Sequence, residues 1–123
     1  MTAWTSNELA TIAAAEELAI TTVRSDGTPR QPLPIWVVRV ADDLYVRSVN
    51  GPTAAWYRST QAHHEGHIQA GGIEQDVAFV DADPALTDQI DAAYGTKYRR
   101  YPTIVPSIIA PKAQSATIKL VPR

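Results

Sequence analysis

The sequence contains no cysteine among its 123 residues. This absence excludes disulfide bonds, a thiolate zinc site and a cysteine nucleophile. The chain also has no apolar run approaching the roughly 20 residues that a membrane-spanning helix needs. Its first residues lack the basic stretch and apolar run of a signal peptide. We therefore expect a soluble, cytoplasmic protein that does not act at membranes.

A large excess of either charge is also missing, since the formal net charge is -2. This value argues against general binding of nucleic acid, which needs a strongly basic surface. The composition is 45% hydrophobic and 20% charged, which is typical of a globular chain. The length suits one domain over residues 1–123. A small molecule is the expected substrate.

The small net charge conceals two strongly charged blocks. Residues 61–96 carry seven acids and no Lys or Arg, whereas residues 97–123 carry six basic residues and no acid. Eight of the 11 basic residues are Arg, the side chain best suited to planar, bidentate contacts with anions. Two interpretations stay open: the blocks pair across the fold, or some arginines form a pocket for an anionic ligand.

Short strands dominate the predicted structure. The expected strands cover residues 20–23, 33–40, 44–49, 67–70, 76–80 and 116–121. Asp26-Gly27 and Gly71-Gly72 are the predicted tight turns. In the third strand, Leu44 and Val46 alternate with Tyr45, so its two faces differ.

Helices are predicted at three places. One is capped by Ser6 and runs over residues 7–17, one follows the Asn50-Gly51 turn with Pro52 at its first position and ends near residue 62, and one starts at Asp83-Pro84. Residues 103–111 form a proline-punctuated connection. The pattern predicts a mainly β protein with helices, of the α+β class: a small six-stranded antiparallel barrel with two to three flanking helices.

The segment LYVRSVNGPTAAWYRS carries the clearest candidate site. It runs from a strand through a glycine turn into a helix start, where free N–H groups and the helix dipole favour an anion. Arg47 and Ser48 end the strand and Arg58 follows in the helix, so both guanidinium groups are candidates to hold one phosphate. Arg47 is alternatively a plain surface charge.

Aromatic side chains surround this segment. Trp36, Tyr45, Trp56 and Tyr57 offer flat surfaces that suit a ring, although tryptophans more often anchor a core. Together with the anion site, they are the parts of a pocket for a phosphorylated aromatic cofactor. Trp36 and Trp56 are expected to shape this pocket.

Three histidines follow in the sequence HHEGH. The spacing is not that of a helical zinc site, and Gly66 opposes the required helix, so no metal is expected. The candidate proton donors are Tyr57 and, from this cluster, His64. The acidic residues that follow are interpreted as solvated faces. The basic aromatic stretch over residues 94–101 suits closure over a ligand phosphate better than nucleic acid.

Residues 20–72 resemble the core of the FMN-binding split-barrel superfamily, which includes pyridoxamine-phosphate-oxidase-like proteins. The similar features are a glycine turn, a strand with an aromatic residue, a strand that ends in Ser and Asn-Gly, and a helix with Trp-Tyr. The similarity is greatest to the deazaflavin-dependent nitroreductase-like branch. Tyr94, Lys97 and Tyr98 resemble a group of short bacterial proteins that form a domain family of unknown function.

The resemblance implies a split barrel, often dimeric, that binds FMN, a deazaflavin or occasionally haem. A homodimer is therefore expected. The family places its cofactor contacts at positions that match Pro34, Ile35, Trp36, Arg47, Ser48, Asn50 and Gly51, with Arg58 as a further contact.

One difference separates this chain from the deazaflavin branch. That branch usually carries a Gly-Arg-Lys-Ser-Gly type run in the first turn, where this chain has Ser25-Asp26-Gly27-Thr28 between Arg24 and Arg30. Two hypotheses follow. The first is a flavin- or deazaflavin-binding oxidoreductase that transfers hydride to a small organic substrate. The alternative, which the altered turn favours, is a non-redox barrel that binds a small molecule, such as a cofactor-free isomerase or cyclase or a ligand-binding protein.

Overall fold

The computed structural model describes residues 3–123 as one seven-stranded antiparallel sheet and five helices. The strands are β1 (Leu18–Thr21), β2 (Leu33–Ile35), β3 (Val37–Val40), β4 (Asp43–Arg47), β5 (Glu65–Ala70), β6 (Ile73–Asp81) and β7 (Thr117–Pro122). The helices are α1 (Ser6–Ala14), α2 (Ala55–Ala62), α3 (Thr87–Lys97), α4 (Val105–Ile108) and α5 (Pro111–Gln114). No helix within residues 3–123 combines the length and the apolar character needed to cross a bilayer.

The strand order is β2-β1-β5-β6-β7-β4-β3. The two outermost strands, β2 and β3, are consecutive in the chain and are separated only by Trp36. The sheet must therefore curl until its two edges approach each other at this residue, and it forms a nearly closed barrel. We call this junction the seam. The predicted α+β class and split-barrel architecture are confirmed.

The prediction of a single strand over residues 33–40 is wrong. The chain pairs with β1 through Ile35 and with β4 from Val37 onward, so it changes sheet edge within one residue. This change adds the seventh strand. Alternating side chains cannot reveal it, because the residues on both sides of Trp36 are equally suited to a strand.

Strand β4 separates two hydrophobic cores, as its alternation predicts. Leu44 and Val46 lie in the barrel interior with residues of β1, β5, β6 and β7. Tyr45 points to the other face, where it packs with Ile90 and Tyr94 of α3. The long helix α3 therefore covers the outside of the barrel beside the seam.

Helix boundaries differ from the prediction at every helix: α1 ends at Ala14 and not at residue 17, and α3 begins at Thr87, after a 3-10 turn at Pro84–Leu86. The first helix is capped by Thr5, not Ser6, because Thr5 and Glu8 form a reciprocal capping box. Residues 51–53 form a separate 3-10 turn, and α2 begins only at Ala55. The predicted connection over residues 103–111 contains α4 and the start of α5, which raises the helix count to five. These helices are four residues each, too short for periodicity to detect.

The β5–β6 hairpin contains a histidine bound by two acids. Nδ1 of His67 lies 2.9 Å from Asp76 and Nε2 lies 3.2 Å from Glu74. The hydrogen bond to Asp76, aided by that to Glu74, raises the pKa of His67 above its usual 6.5, and partial burial opposes this shift. The protonated ring is therefore the form that the folded hairpin binds best.

This arrangement makes the stabilising effect of His67 depend on pH. Because its folded pKa lies above that of the unfolded chain, the contribution is complete below about pH 6.5 and is lost as the pH rises through the folded pKa. We expect the difference in unfolding free energy between wild type and His67→Gln to shrink from about pH 6 to about pH 8, by less than about 1 kcal/mol because the site is exposed. Urea denaturation across this range measures it. A difference that grew with pH would contradict the expectation.

Candidate functional site

A cleft of about 400 Å³ opens at the seam, between β2, the end of β4 and α2. Its lining contains seven of the nine residues predicted to bind a cofactor: Pro34, Ile35, Trp36, Arg47, Ser48, Asn50 and Trp56. Glu17, Leu33, Val49, Ile104 and Ile108 complete it. We call it the aromatic cleft. The fold thus brings together segments that are separated by up to 91 residues in the chain.

Exposed large hydrophobic side chains cluster at the aromatic cleft. Among residues 3–123, four large hydrophobic side chains are exposed, and three of them line this cleft: Leu33 at 39%, Val49 at 41% and Ile104 at 46%. Clustered exposed apolar side chains typically mark a surface that binds a ligand or partner. The clustering at the seam therefore supports a binding site there.

Trp36 forms one wall of the cleft, and its ring packs against Tyr98 and Tyr101. Its ring stacks on Tyr98 with centroids 3.8 Å apart and planes 3° apart, and Tyr101 lies at 5.5 Å. The Tyr98 hydroxyl in turn accepts from the Val37 N–H at 3.1 Å and donates to the Glu16 carbonyl at 2.8 Å. Both sequence interpretations of Trp36 thus apply, since one side packs on the second core and the other borders the cleft.

Trp56 separates the aromatic cleft from a second cavity of about 450 Å³. The two cavities share Leu33, Asn50 and Trp56, so they adjoin. The second cavity is lined by Arg24 and Arg30, and we call it the arginine cavity. The paired cavities therefore present an apolar, aromatic half and a positively charged half.

The two guanidinium groups of the arginine cavity have neutral partners. Arg24 donates to the Pro29 carbonyl at 2.9 Å, and Arg30 donates from Nε to the Ser59 hydroxyl at 2.9 Å. Within the described part of the chain, neither lies within 4.0 Å of a carboxylate. Asp26, the acid in the same turn, accepts hydrogen bonds from Thr28 instead. Both arginines are therefore available to an anion.

Arg47 has a different environment from the one predicted. Its side chain is fully buried and forms an ion pair with Asp91 of α3. Its Nε donates to the Thr117 hydroxyl at 2.9 Å and its Nη1 to the Ile108 carbonyl at 3.1 Å. The structure therefore gives this guanidinium protein partners in place of the phosphate that the sequence predicts.

Ser48 and Gly51 build the turn after β4. The Ser48 hydroxyl donates to the Gly51 carbonyl at 2.8 Å, and Gly51 has a φ of 76°, which favours glycine. A Cβ at Gly51 would lie 3.2 Å from the Lys112 carbonyl oxygen, so α5 also approaches closely here. The predicted helix start at residues 51–53 is corrected, because this segment is a 3-10 turn and α2 begins at Ala55.

Three other predicted residues lie away from the aromatic cleft. Arg58 lines a third cavity, with Arg30 and Ser59, so it does not share an anion site with Arg47. Tyr57 is buried in the barrel core and borders a cavity with Asp81, and burial raises the pKa of its phenol. His64 is exposed between α2 and β5. The structure does not bring either proton-donor candidate into the cleft. Within residues 3–123, no group of three or more His, Asp or Glu side chains is placed to hold a metal ion.

The chain matches a known bacterial protein family over most of its length. Residues 8–120 match a family described as uncharacterized proteins conserved in bacteria, DUF2255. The chain belongs to the DUF2255 family. No curated protein matches this DUF2255 member in sequence.

Solved structures with similar folds include several cofactor-binding proteins. An F420 reductase shares 17% identity, with a TM-score of 0.57 over 93% of this chain and 90% of that chain. HutZ, the heme storage protein from Vibrio cholerae, shares 17% identity, with a TM-score of 0.65 over 89% and 82%. A FAD-binding protein from Mesorhizobium loti shares 14% identity, with a TM-score of 0.57 over 97% and 88%. The DUF2255 protein thus has the split-barrel fold that flavin-binding proteins use, and identities this low show the fold alone.

Arg24 and Arg30 line the arginine cavity of this DUF2255 protein but were not among the site residues predicted from its sequence. They flank the Asp26-Gly27 turn and lie between the two predicted strands, 20–23 and 33–40, outside both. An isolated bridge joins Val23 to Pro29 beside them. Arg24 and Arg30 line one cavity with Trp56 of α2 because of tertiary packing. No local sequence pattern predicts this packing.

Proposed function

We propose that this DUF2255 protein binds a flavin-type cofactor, FMN or a deazaflavin, and acts as an oxidoreductase on a small organic substrate. One observation carries the proposal: an aromatic cleft and an arginine cavity adjoin at Trp56. A flavin-type cofactor has the same two halves, a flat ring system and a chain that bears phosphate. The ring would occupy the aromatic cleft, and the phosphate would lie near Arg24 and Arg30.

The residues present fit such a group. Cavities of about 400 and 450 Å³ are within the usual range for small-molecule sites. The lining of the aromatic cleft is mostly apolar and aromatic, and its polar residues are Glu17, Arg47, Ser48 and Asn50. Glu17 is the single carboxylate among the lining residues of the two cavities. An anionic chain therefore meets net positive charge at the arginine cavity.

Each part of the site has a distinct task in this proposal. Trp36, fixed by Tyr98, provides a rigid surface that orients a ring. Leu33 and Ile104 exclude water from the cleft, which strengthens polar interactions inside it. Arg24 and Arg30 hold the anionic chain by charge-assisted hydrogen bonds. When bound, the cofactor supplies the hydride chemistry, which protein side chains cannot perform.

The test is a titration of the purified protein with FMN and with a deazaflavin, followed by absorbance and tryptophan fluorescence. We expect saturable binding of one of them and quenching of Trp36 and Trp56. Arg30→Gln is expected to weaken binding at least about tenfold, because it removes a charged hydrogen bond worth about 1.5–3 kcal/mol. Arg99→Gln is the matched control, since Arg99 is exposed in the turn that follows α3 and lines neither cavity.

Two results would count against this function. A colourless protein that binds neither cofactor would favour the non-redox alternative, a barrel that binds a small anionic or aromatic ligand. Equal losses in Arg30→Gln and Arg99→Gln would show that the arginine cavity does not hold the phosphate.

A further inference from the structure

A separate groove of about 540 Å³ lies between α1, β3 and α3. It shares no lining residue with the aromatic cleft or the arginine cavity. Five of its nine lining residues are apolar: Ala13, Val38, Val40, Ala92 and Ala93. The others are Arg39, Gln89, Thr96 and Lys97, so the groove combines apolar walls with two cationic side chains. We call it the lysine groove.

Lys97 is the one lysine that lines this groove, and it is half-buried. Its Nζ donates to the Val37 carbonyl at 2.6 Å and lies 5.1 Å from the centre of the Tyr98 ring. No carboxylate of the described residues lies within 4.0 Å of it. The amine is thus fixed in place without a permanent counter-charge.

The groups around Lys97 act on its charge in opposite directions. Burial lowers the pKa of Lys97 to about 8, and the negative charge of Glu16, from the link between α1 and β1, raises it only in part. Glu16 itself is bound by Arg100 and Tyr101. From β3, Arg39 adds positive charge to the groove. With a pKa of about 8, roughly a quarter of the amine is unprotonated at pH 7.5, against about 0.1% for an ordinary lysine.

We propose that the lysine groove is a second ligand site, in which Lys97 captures a small aldehyde or keto compound with an anionic group as an imine. A fixed, unpaired amine in an apolar groove is the usual setting of a nucleophilic lysine. The positive charge of Arg39 suits a carboxylate or phosphate on the same compound. Arg39 is partly engaged by Asp42 at 3.6 Å, a distance that an exposed pair can readily give up.

Imine formation needs no reactant besides the Lys97 amine and the carbonyl compound. The lone pair of Nζ attacks the carbonyl carbon, and the carbonyl oxygen takes up a proton to give a carbinolamine. That hydroxyl then leaves as water with the second proton of the nitrogen, directly or through solvent, while the nitrogen lone pair forms the carbon–nitrogen double bond. Nothing is oxidised or reduced in this condensation. Water can hydrolyse the imine back to the amine and the carbonyl compound, so the step is reversible.

The sequence provides internal controls for a test, since its lysines are Lys97, Lys112 and Lys119. The wild-type protein is treated with glyoxylate at pH 7.5, and cyanoborohydride reduces any imine to a stable amine. Peptide mass mapping then gives the modified fraction at each lysine. We expect Lys97 to be labelled at least about tenfold faster than the exposed Lys112, because far more of its amine is unprotonated.

The outcomes separate the two parts of the proposal. Labelling of Lys97 no faster than that of Lys112 overturns it. Acetaldehyde, which has no anionic group, is expected to label Lys97 more slowly than glyoxylate, relative to Lys112. Arg39→Gln is expected to remove this preference. Equal preference in Arg39→Gln would overturn the role of the anionic group. No variant of Lys97 is needed, so a failure to fold cannot obscure the result.

Discussion

Replacing Arg47 by methionine is expected to lower the free energy of unfolding by about 3 kcal/mol. The guanidinium is fully buried and pairs with Asp91, and it also donates to Thr117 and to the Ile108 carbonyl. Methionine fills similar volume but leaves the Asp91 carboxylate without its partner, where only 23% of that side chain reaches solvent. Urea denaturation followed by tryptophan fluorescence measures the loss.

The matched control is Arg58→Met, because Arg58 is exposed on α2 and forms no ion pair among the described residues. It is expected to change stability by less than about 0.5 kcal/mol. A double-mutant cycle with Asp91→Asn isolates the energy of the pair. A loss below 1 kcal/mol in Arg47→Met would contradict the structural role of Arg47.

Gly66→Ala is the second change with a large expected effect. A Cβ at this position would lie 2.3 Å from the Thr21 carbonyl oxygen and 2.6 Å from the Phe79 ring. The first of these contacts is with the backbone of β1, which pairs with β5, so relief would require the two strands to separate. We expect a loss of about 3 kcal/mol, at the upper end for an overpacked core. The shift of the urea midpoint measures it.

Gly95→Ala is the control of opposite sign. Gly95 lies inside α3 and a Cβ there would meet nothing within 4 Å, so alanine only improves the helix. It is expected to raise stability by about 0.5–1 kcal/mol. If Gly66→Ala were as stable as wild type, the close approach of β1 and β5 described above would be wrong.

The hairpin turns, and the face of the strand on which each side chain lies, can be predicted from sequence because they depend on local chemistry. Gly71 and Gly72 both have positive φ values, 57° and 84°, which glycine tolerates and other residues avoid. The alternation of Leu44 and Tyr45 likewise predicts that they lie on different faces of the strand, and the structure places them in different cores. Such features need only a few neighbouring residues.

The candidate site is harder to predict from sequence, because residues far apart in the chain determine its contacts. Asp91 lies 44 positions after Arg47, and no local pattern shows that α3 brings it to the end of β4. The seam at Trp36 is equally hidden, since it depends on where the curled sheet ends. The resemblance located six of the twelve residues that line the aromatic cleft, whereas the partners of their side chains required the structure.

The composition of β2 has a consequence for the behaviour of the protein in concentrated solution. This edge strand is only three residues long, and Pro34 at its centre has no N–H to donate. Short edges interrupted by proline are a common protection against aggregation, because a neighbouring chain finds no continuous row of donors to pair with. The other edge strand, β3, lies against α1 and α3. The barrel can therefore keep an apolar cleft open at its seam without offering a template for strand addition.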